Sequence, residues 1–269
     1  DGPQIVVGLH GPSAWTRSGN PWPIGSDGGL LASEAELFDE GLVRALELDG
    51  LNQADWLVSP SAAMAQWVRS ELLPNQPQRP VLVNRNCPLS QRLGPNPAGA
   101  VAGPEQDNQP PIDLVVFGRL EQRKGLPLAL DALLQLQPRP LRVLFLGSDC
   151  VLGKQADGSP LWGSQRVRQQ LEGSGISAVF EHGLLRDAAL QHLMALQKPV
   201  LIPSLIENSP CVVEELLDSG LPLVVTDVGG TAELVRPADH RWLSKPDAEA
   251  LAQHLHIALS ESASDQDAY

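Results

Sequence analysis

Short runs of Val, Ile and Leu alternate along the chain with longer stretches whose apolar residues recur at helical spacing, as in parallel strands joined by crossover helices. The pattern predicts an α/β protein. Its first run, Ile5–Leu9, leads into a Gly-, Pro- and Ser-rich loop to about Gly29, a helix near Ser33–Leu48, a strand at Trp56–Val58, a helix from Ser61 to Leu73 and a strand at Val81–Val83. From Asn84 to Pro111 the chain is crowded with Pro and Gly and has no amphipathic period, so a linker is expected there. Alternation then resumes. Strands are predicted at Leu114–Phe117, Leu141–Leu146, Ala178–Phe180, Val200–Ile202 and Leu223–Val225, with helices at Leu126–Leu136, about Gln165–Leu171, Ala188–Leu196, Cys211–Ser219, Ala232–Val235 and Ala248–Leu259. The predicted organisation is a partial α/β domain at 1–85, a linker at 86–110, a complete doubly wound α/β domain at 111–260 and a tail at 261–269 expected to fray.

Composition narrows the function. With 42% apolar and 19% charged residues among 269, the chain can bury a core. Thirty-two acidic against nineteen basic residues leave a net charge of −13, which argues against nucleic acid as a partner. A small phosphate ligand stays open, because a few placed cations and backbone amides suffice to hold one. Cys87, Cys150 and Cys211 form no disulfide or zinc pattern, and the longest apolar runs fall well short of a membrane span. A cytoplasmic protein without an integral membrane segment is expected. The first residue is Asp1, and the chain reads as N-terminally truncated.

The densest chemical signal is PSLIENSPCVVEELLDSGLPLVVTDVGG, residues 203–230. A buried strand ends at Ile202, and a helix is expected to open with Ser209 as N-cap and Pro210 in its first position. The amides of Cys211, Val212 and Val213 would then be unpaired on the carboxyl side of the sheet, an anion site. Glu215, on that helix, could accept hydrogen bonds from a diol, and Glu207 from a second polyol. Equally, Glu207 and Glu214 could be favourable charges near a helix start, with Glu215 solvated. A second segment, FGRLEQRKGL at 117–126, places Arg119 and Lys124 just past a strand, where they could neutralise a diphosphate; a plain basic turn is the alternative.

Together GRLEQRKG and SLIENSPCVVEELLDSGLPLVVTDVGGTAELV resemble the retaining, GT-B-fold glycosyltransferases of family 4. Glu207 and Glu215 match the E-x-x-x-x-x-x-x-E spacing, Arg119 and Lys124 the G-R-L-x-x-x-K-G pattern, and Gly220 to Gly230 the G-x-P-x-x-x-T-x-x-G-G tract. The resemblance implies two Rossmann-like domains, the N-terminal one incomplete, and a metal-independent hexosyl transfer from a nucleoside diphosphate sugar to a hydroxyl acceptor, without a further cofactor. It places Arg119 and Lys124 on the donor diphosphate, Glu207 on the transferred sugar and Glu215 on the ribose. Asn208, Ser209, Cys211 and Val212 would line the donor site, with a base-binding loop at Leu184–Leu185. IVVGLHG and LNQADWLVSPSAAMAQWV resemble the second half of the family's N-terminal domain, which puts His10 near the sugar. Pro210 stands where the family often has Gly, and no counterpart of the family's opening glycine-rich unit is present. A non-catalytic nucleotide-sugar-binding module, or an inactive fragment, is therefore the alternative function.

Overall fold

The computed structural model describes residues 4–18, 34–86, 110–137, 140–217 and 219–266. Most of the predicted linker and the second half of the loop expected up to Gly29 lie outside these residues. The chain divides into two compact units. One holds Asp1–Cys87 with Ile206–Pro210 and Gly229–Leu234, and the other holds the remaining segments. Two short pieces assigned by sequence to 111–260 thus group with the N-terminal residues.

In the first unit β1 (Val6–Gly8), α1 (Ser13–Ser18), α2 (Glu34–Gln53), β2 (Trp56–Ser59), α3 (Ala62–Trp67) and β3 (Val81–Val83) follow in order, with α3 continued by a π turn at Val68–Leu72. The strands form a parallel sheet in the order β1-β2-β3, with Val7 beside Leu57 and Leu57 beside Val81. Its core contains Leu9, Leu51, Leu57, Met64, Val68, Leu72 and, from the later segment, Ile206. Helix α1 replaces the start of the predicted loop. Its first residue is held from a distance in sequence, since Glu47 accepts hydrogen bonds from Ser13 N (2.9 Å) and Ser13 Oγ (2.7 Å). Helix α2 runs past the expected end at Leu48 because Leu51 is buried in the core, which outweighs the modest propensity cost of Gly50.

The second unit contains β4 (Leu114–Phe117), α4 (Leu126–Leu133), β5 (Leu141–Leu146), β6 (Val151–Lys154), β7 (Pro160–Trp162), α5 (Gly163–Leu171), β8 (Ile176–Glu181), α6 (Arg186–Leu196), β9 (Val200–Ile202), α7 (Cys211–Leu217) and β10 (Leu223–Thr226). After α8 (Thr231–Leu234), which belongs to the first unit, come a 3₁₀ turn at Pro237–Trp242, β11 (Leu243–Ser244) and α9 (Ala248–Gln266). A six-stranded parallel sheet has the order β11-β10-β9-β4-β5-β8. Both faces are covered, which explains the unbroken apolar runs of the strands. Leu114, Val116, Val143 and Phe145 face Leu130, Val167 and Leu255, while the alternate Val115, Leu144 and Leu146 face Leu190, Leu193, Val213 and Leu216. Each fully buried Leu contributes about 1.5–3 kcal/mol, so the two layers supply most of this unit's stability.

Several boundaries differ from expectation. The antiparallel hairpin β6–β7 was not predicted, although its Asp157–Gly158 turn, with Gly158 at φ +83°, is a recognised hairpin signal. Helix α7 begins at Cys211, the start of its predicted range, and is assigned to Leu217 where Ser219 was expected. Helix α9 continues to Gln266 where a frayed tail from 261 was expected. Extension of an existing helix costs little per residue, and Arg241 ties Glu261 to the body of the unit at 2.9 Å.

Candidate functional site

Parallel pairing of β4 with β9 decides the geometry of the second unit, because β4 is also paired with β5 on its other side. The strand order changes direction there, and the loops leaving the carboxyl ends of β4 and β9 become neighbours, the usual ligand position in an open α/β sheet. These are the turn that carries Arg119 and Lys124 and the segment that leads into α7. They are joined by a hydrogen bond from Leu205 N to Arg123 O, 3.0 Å. Gly125 allows the approach: it has φ +74°, and a Cβ there would lie 1.7 Å from Pro203 O. The cationic turn and the start of the acidic motif are thus in direct backbone contact.

On this turn Arg119 is half exposed and pairs with Glu121 at 2.9 Å, which also holds Arg123 at 3.0 Å. An exposed pair of this kind is worth only about 0–1 kcal/mol, so Arg119 is only weakly held by Glu121. Lys124 is half buried. Leu120 bridges to Asp149 in the next loop, where Asp149 accepts hydrogen bonds from Ser164 N (3.0 Å) and Ser164 Oγ (2.5 Å) at the start of α5. Cys150 follows. Burial pushes its thiol pKa above the ordinary value, the nearby charge of Glu121 adds to the rise, and Arg119 opposes it.

Cys211 and Val212 open α7 and are half buried. Glu215 is not solvated. Its side chain is 1% exposed, and Oε1 accepts a hydrogen bond from Arg186 at the first position of α6. Its other oxygen, Oε2, is buried without a hydrogen-bond partner. The hydrogen bond to Glu215 raises the Arg186 pKa further, so the guanidinium is firmly charged. Sequence reasoning missed Arg186, because a cation at a helix N-terminus opposes the macrodipole and carries no local signal. Leu184 and Leu185, in the loop before it, are 40% and 82% exposed.

His10, Glu207, Asn208 and Ser209 lie in the first unit. Asn208 ties three of its segments together. Its Nδ2 donates to Leu9 O (3.0 Å) and His10 O (3.1 Å), and its Oδ1 accepts from Ser61 Oγ (2.6 Å). Ser61 Oγ in turn accepts from Met64 N and caps α3, and the Glu233 carboxylate accepts from Ala62 N (2.9 Å) and Ala63 N (2.8 Å). Gly230 N donates to Glu207 O at 3.2 Å, and Gly229, at φ +54°, stands so close that a Cβ would lie 1.7 Å from the same oxygen. The Gly-Gly tract therefore serves close backbone packing against Glu207. His10 itself is exposed and borders a cavity of about 340 Å³ lined by Val7 to Pro12 and, from α2, Leu46, Glu47, Gly50 and Leu51. Ser61 and Glu233 also escaped sequence reasoning as parts of this network, since their partners are up to 171 positions away. Among the described residues no cluster of three or more His, Cys, Asp or Glu could hold a metal ion, and no helix is long and apolar enough to cross a membrane.

The family model described as glycosyl transferases group 1 matches residues 111–261. WcaL of Escherichia coli (strain K12), named as a colanic acid biosynthesis glycosyltransferase, is 27% identical over 202 residues, which cover 71% of this chain and 44% of WcaL. Sucrose-phosphate synthase from Thermosynechococcus elongatus superimposes with a TM-score of 0.66 at 21% identity, over 98% of this chain and 60% of that one. The structure of Anabaena HepE in complex with UDP-glucose gives 0.56 at 18% identity, over 97% and 64%. The chain thus spans less than two thirds of each of these relatives, and at such identities the two structural likenesses speak for the fold. With its model matched across more than half the residues and its α/β fold shared along nearly all of them, the chain belongs to the group 1 glycosyltransferases, the retaining GT-B enzymes of family 4.

Proposed function

We propose that this chain binds a nucleoside diphosphate hexose and transfers the hexosyl group, with retention of anomeric configuration and without a metal, to a hydroxyl acceptor. The observation that carries this reading is the backbone contact between the turn of Arg119 and Lys124 and the segment entering α7, at the carboxyl ends of two adjacent parallel strands. In the reaction the bond from the anomeric carbon to the diphosphate oxygen breaks as a bond to the acceptor oxygen forms, and the acceptor's proton passes to the departing diphosphate. Negative charge develops on the departing diphosphate. Fixed cations that meet this charge stabilise the transition state more than the ground state. Arg119, as a planar fork, and Lys124, as a point charge, are assigned that role, with the Cys211 and Val212 amides beside them. Glu215 is assigned to the ribose, Leu184 and Leu185 to the base, Glu207 to the transferred sugar with Asn208 and Ser209 next to it, and His10 to the sugar's reacting side. The donor of HepE, UDP-glucose, is a reasonable first ligand to try.

The test is a thermal-shift panel of UDP-glucose, GDP-mannose and ADP-glucose, followed by turnover of the best binder in the wild type and in Lys124→Ala. Binding of one donor raises Tm as ligand linkage requires. Lys124→Ala is expected to lower turnover by about 10²-fold or more, the scale of losing one transition-state charge contact, with Tm in the absence of donor nearly unchanged. Equal turnover in the variant refutes the leaving-group role. Donor binding with no transfer to any hydroxyl acceptor selects the alternative, a nucleotide-sugar-binding module, and no Tm rise with any donor removes both.

A further inference from the structure

We infer that Arg186 is a positioning residue for the donor nucleotide: it holds the buried Glu215 carboxylate by one oxygen so that the other, Oε2, is presented as an acceptor to a vicinal diol. The inference rests on the donor-binding reading above and extends it to a residue outside the matched motifs.

Three observations converge. Glu215 has a side chain 1% exposed, and so buried a carboxylate is costly to the fold without a close compensating partner. Arg186 is that partner. Its guanidinium, 43% exposed, reaches from the solvent side to Oε1 and leaves Oε2 buried with no hydrogen bond of its own. A buried acceptor left unmade costs stability, which is explicable where a ligand hydroxyl completes it. Finally, Arg186 occupies the first position of α6, where the helix dipole and the neighbouring Asp187 favour and supply negative charge. The dipole of its own helix disfavours a cation in that position, and Arg186 is held there by Asp187 on α6 at 3.3 Å and by Glu215 on α7. Leu184 and Leu185, exposed immediately before it, place the pair next to a loop able to cover an apolar base face.

Without the guanidinium, the buried Glu215 carboxylate loses the contact that fixes it and can rotate toward water, which removes the fixed Oε2. A diol then loses its acceptor, whereas the phosphate contacts made by other residues are untouched.

The experiment measures, by calorimetry, the affinities of UDP, GDP and ADP and of their 2′,3′-dideoxy counterparts for the wild type, Arg186→Ala and Arg186→Lys. The wild type is expected to favour the ribonucleotide by about tenfold or more, the scale of one hydrogen bond to a charged group. In Arg186→Ala that preference is expected to fall to within about threefold, with the dideoxynucleotide affinity nearly unchanged, and Arg186→Lys is expected to recover most of it because the charge is kept. A preference that is unchanged or larger in Arg186→Ala overturns the positioning role while leaving the donor reading intact, as does a wild type that binds nucleotides without distinguishing the diol. Arg186→Ala losing dideoxynucleotide and ribonucleotide affinity equally marks a structural role only and also overturns the inference. If the wild type binds none of the three nucleoside diphosphates, the donor reading itself fails and this inference falls with it.

Discussion

Gly125→Ala tests the contact on which the candidate site depends. Two separate costs arise. The residue has φ +74°, where an alanine is disfavoured by about 1–2 kcal/mol. Its new Cβ would also lie 1.7 Å from Pro203 O, and that oxygen would have to retreat by about 1.7 Å to reach ordinary van der Waals contact at 3.4 Å. Pro203 is buried at the end of β9, and the adjoining Leu205 is hydrogen-bonded to Arg123, so the movement is resisted and adds a further ~1–3 kcal/mol. Gly173→Ala isolates the first cost, because Gly173 has φ +69° and nothing lies within 4 Å of the place its Cβ would take. At roughly 2–4 °C per kcal/mol, Gly173→Ala should lower Tm by about 2–8 °C and Gly125→Ala by several degrees more. Differential scanning calorimetry of both variants, with donor affinity measured beside it, reads the difference. Donor affinity should drop only in Gly125→Ala. Equal Tm losses would mean that the turn of Arg119 and Lys124 does not press against Pro203, and the geometric basis of the proposed donor site would be gone.

Two further outcomes are expected. Glu233→Ala removes the carboxylate that accepts from Ala62 N and Ala63 N at the start of α3, and should cost about 1–2 kcal/mol in urea denaturation; an unchanged midpoint would count against the cap. The Cys150 thiol, its pKa raised by burial and by Glu121, should be mostly protonated at pH 8 and alkylate with iodoacetamide more slowly than an unperturbed cysteine, quickening as pH rises. Glu121→Gln removes a negative charge that opposes ionisation, so the thiolate fraction and the rate at pH 8 should increase; site-resolved mass spectrometry with no increase would refute the electrostatic cause.

Much of the fold was legible because burial on both faces of a parallel sheet leaves a continuous apolar run, and β4, β5, β9 and β10 all carry one. The turn of Arg119 and Lys124 was legible as a loop for a related reason, since it directly follows the apolar run of β4. Local signals failed where a distant residue decided the outcome. Helix α1 forms in a stretch that reads as loop because Glu47 holds its first residue. The hairpin β6–β7 is different, since its Asp157–Gly158 turn is a visible local signal overshadowed by two stronger elements on either side.

What the sequence by itself determined is the order of strands and helices and the residue types offered at each loop, since periodicity and turn chemistry are properties of neighbouring residues. Only the tertiary structure decided which loops meet and in what state their side chains arrive. Placing β9 beside β4 joins two segments some 80 residues apart, and packing α6 near α7 turns Glu215 from a candidate surface acid into a buried carboxylate held by Arg186. Asn208 joins the ends of β1 and β2 in the same way, through hydrogen bonds spanning 147 to 199 positions. Such pairings carry no local signature, because the free energy that selects them comes from burying whole faces of the sheet, and the polar groups are then positioned by whatever that burial brings into reach.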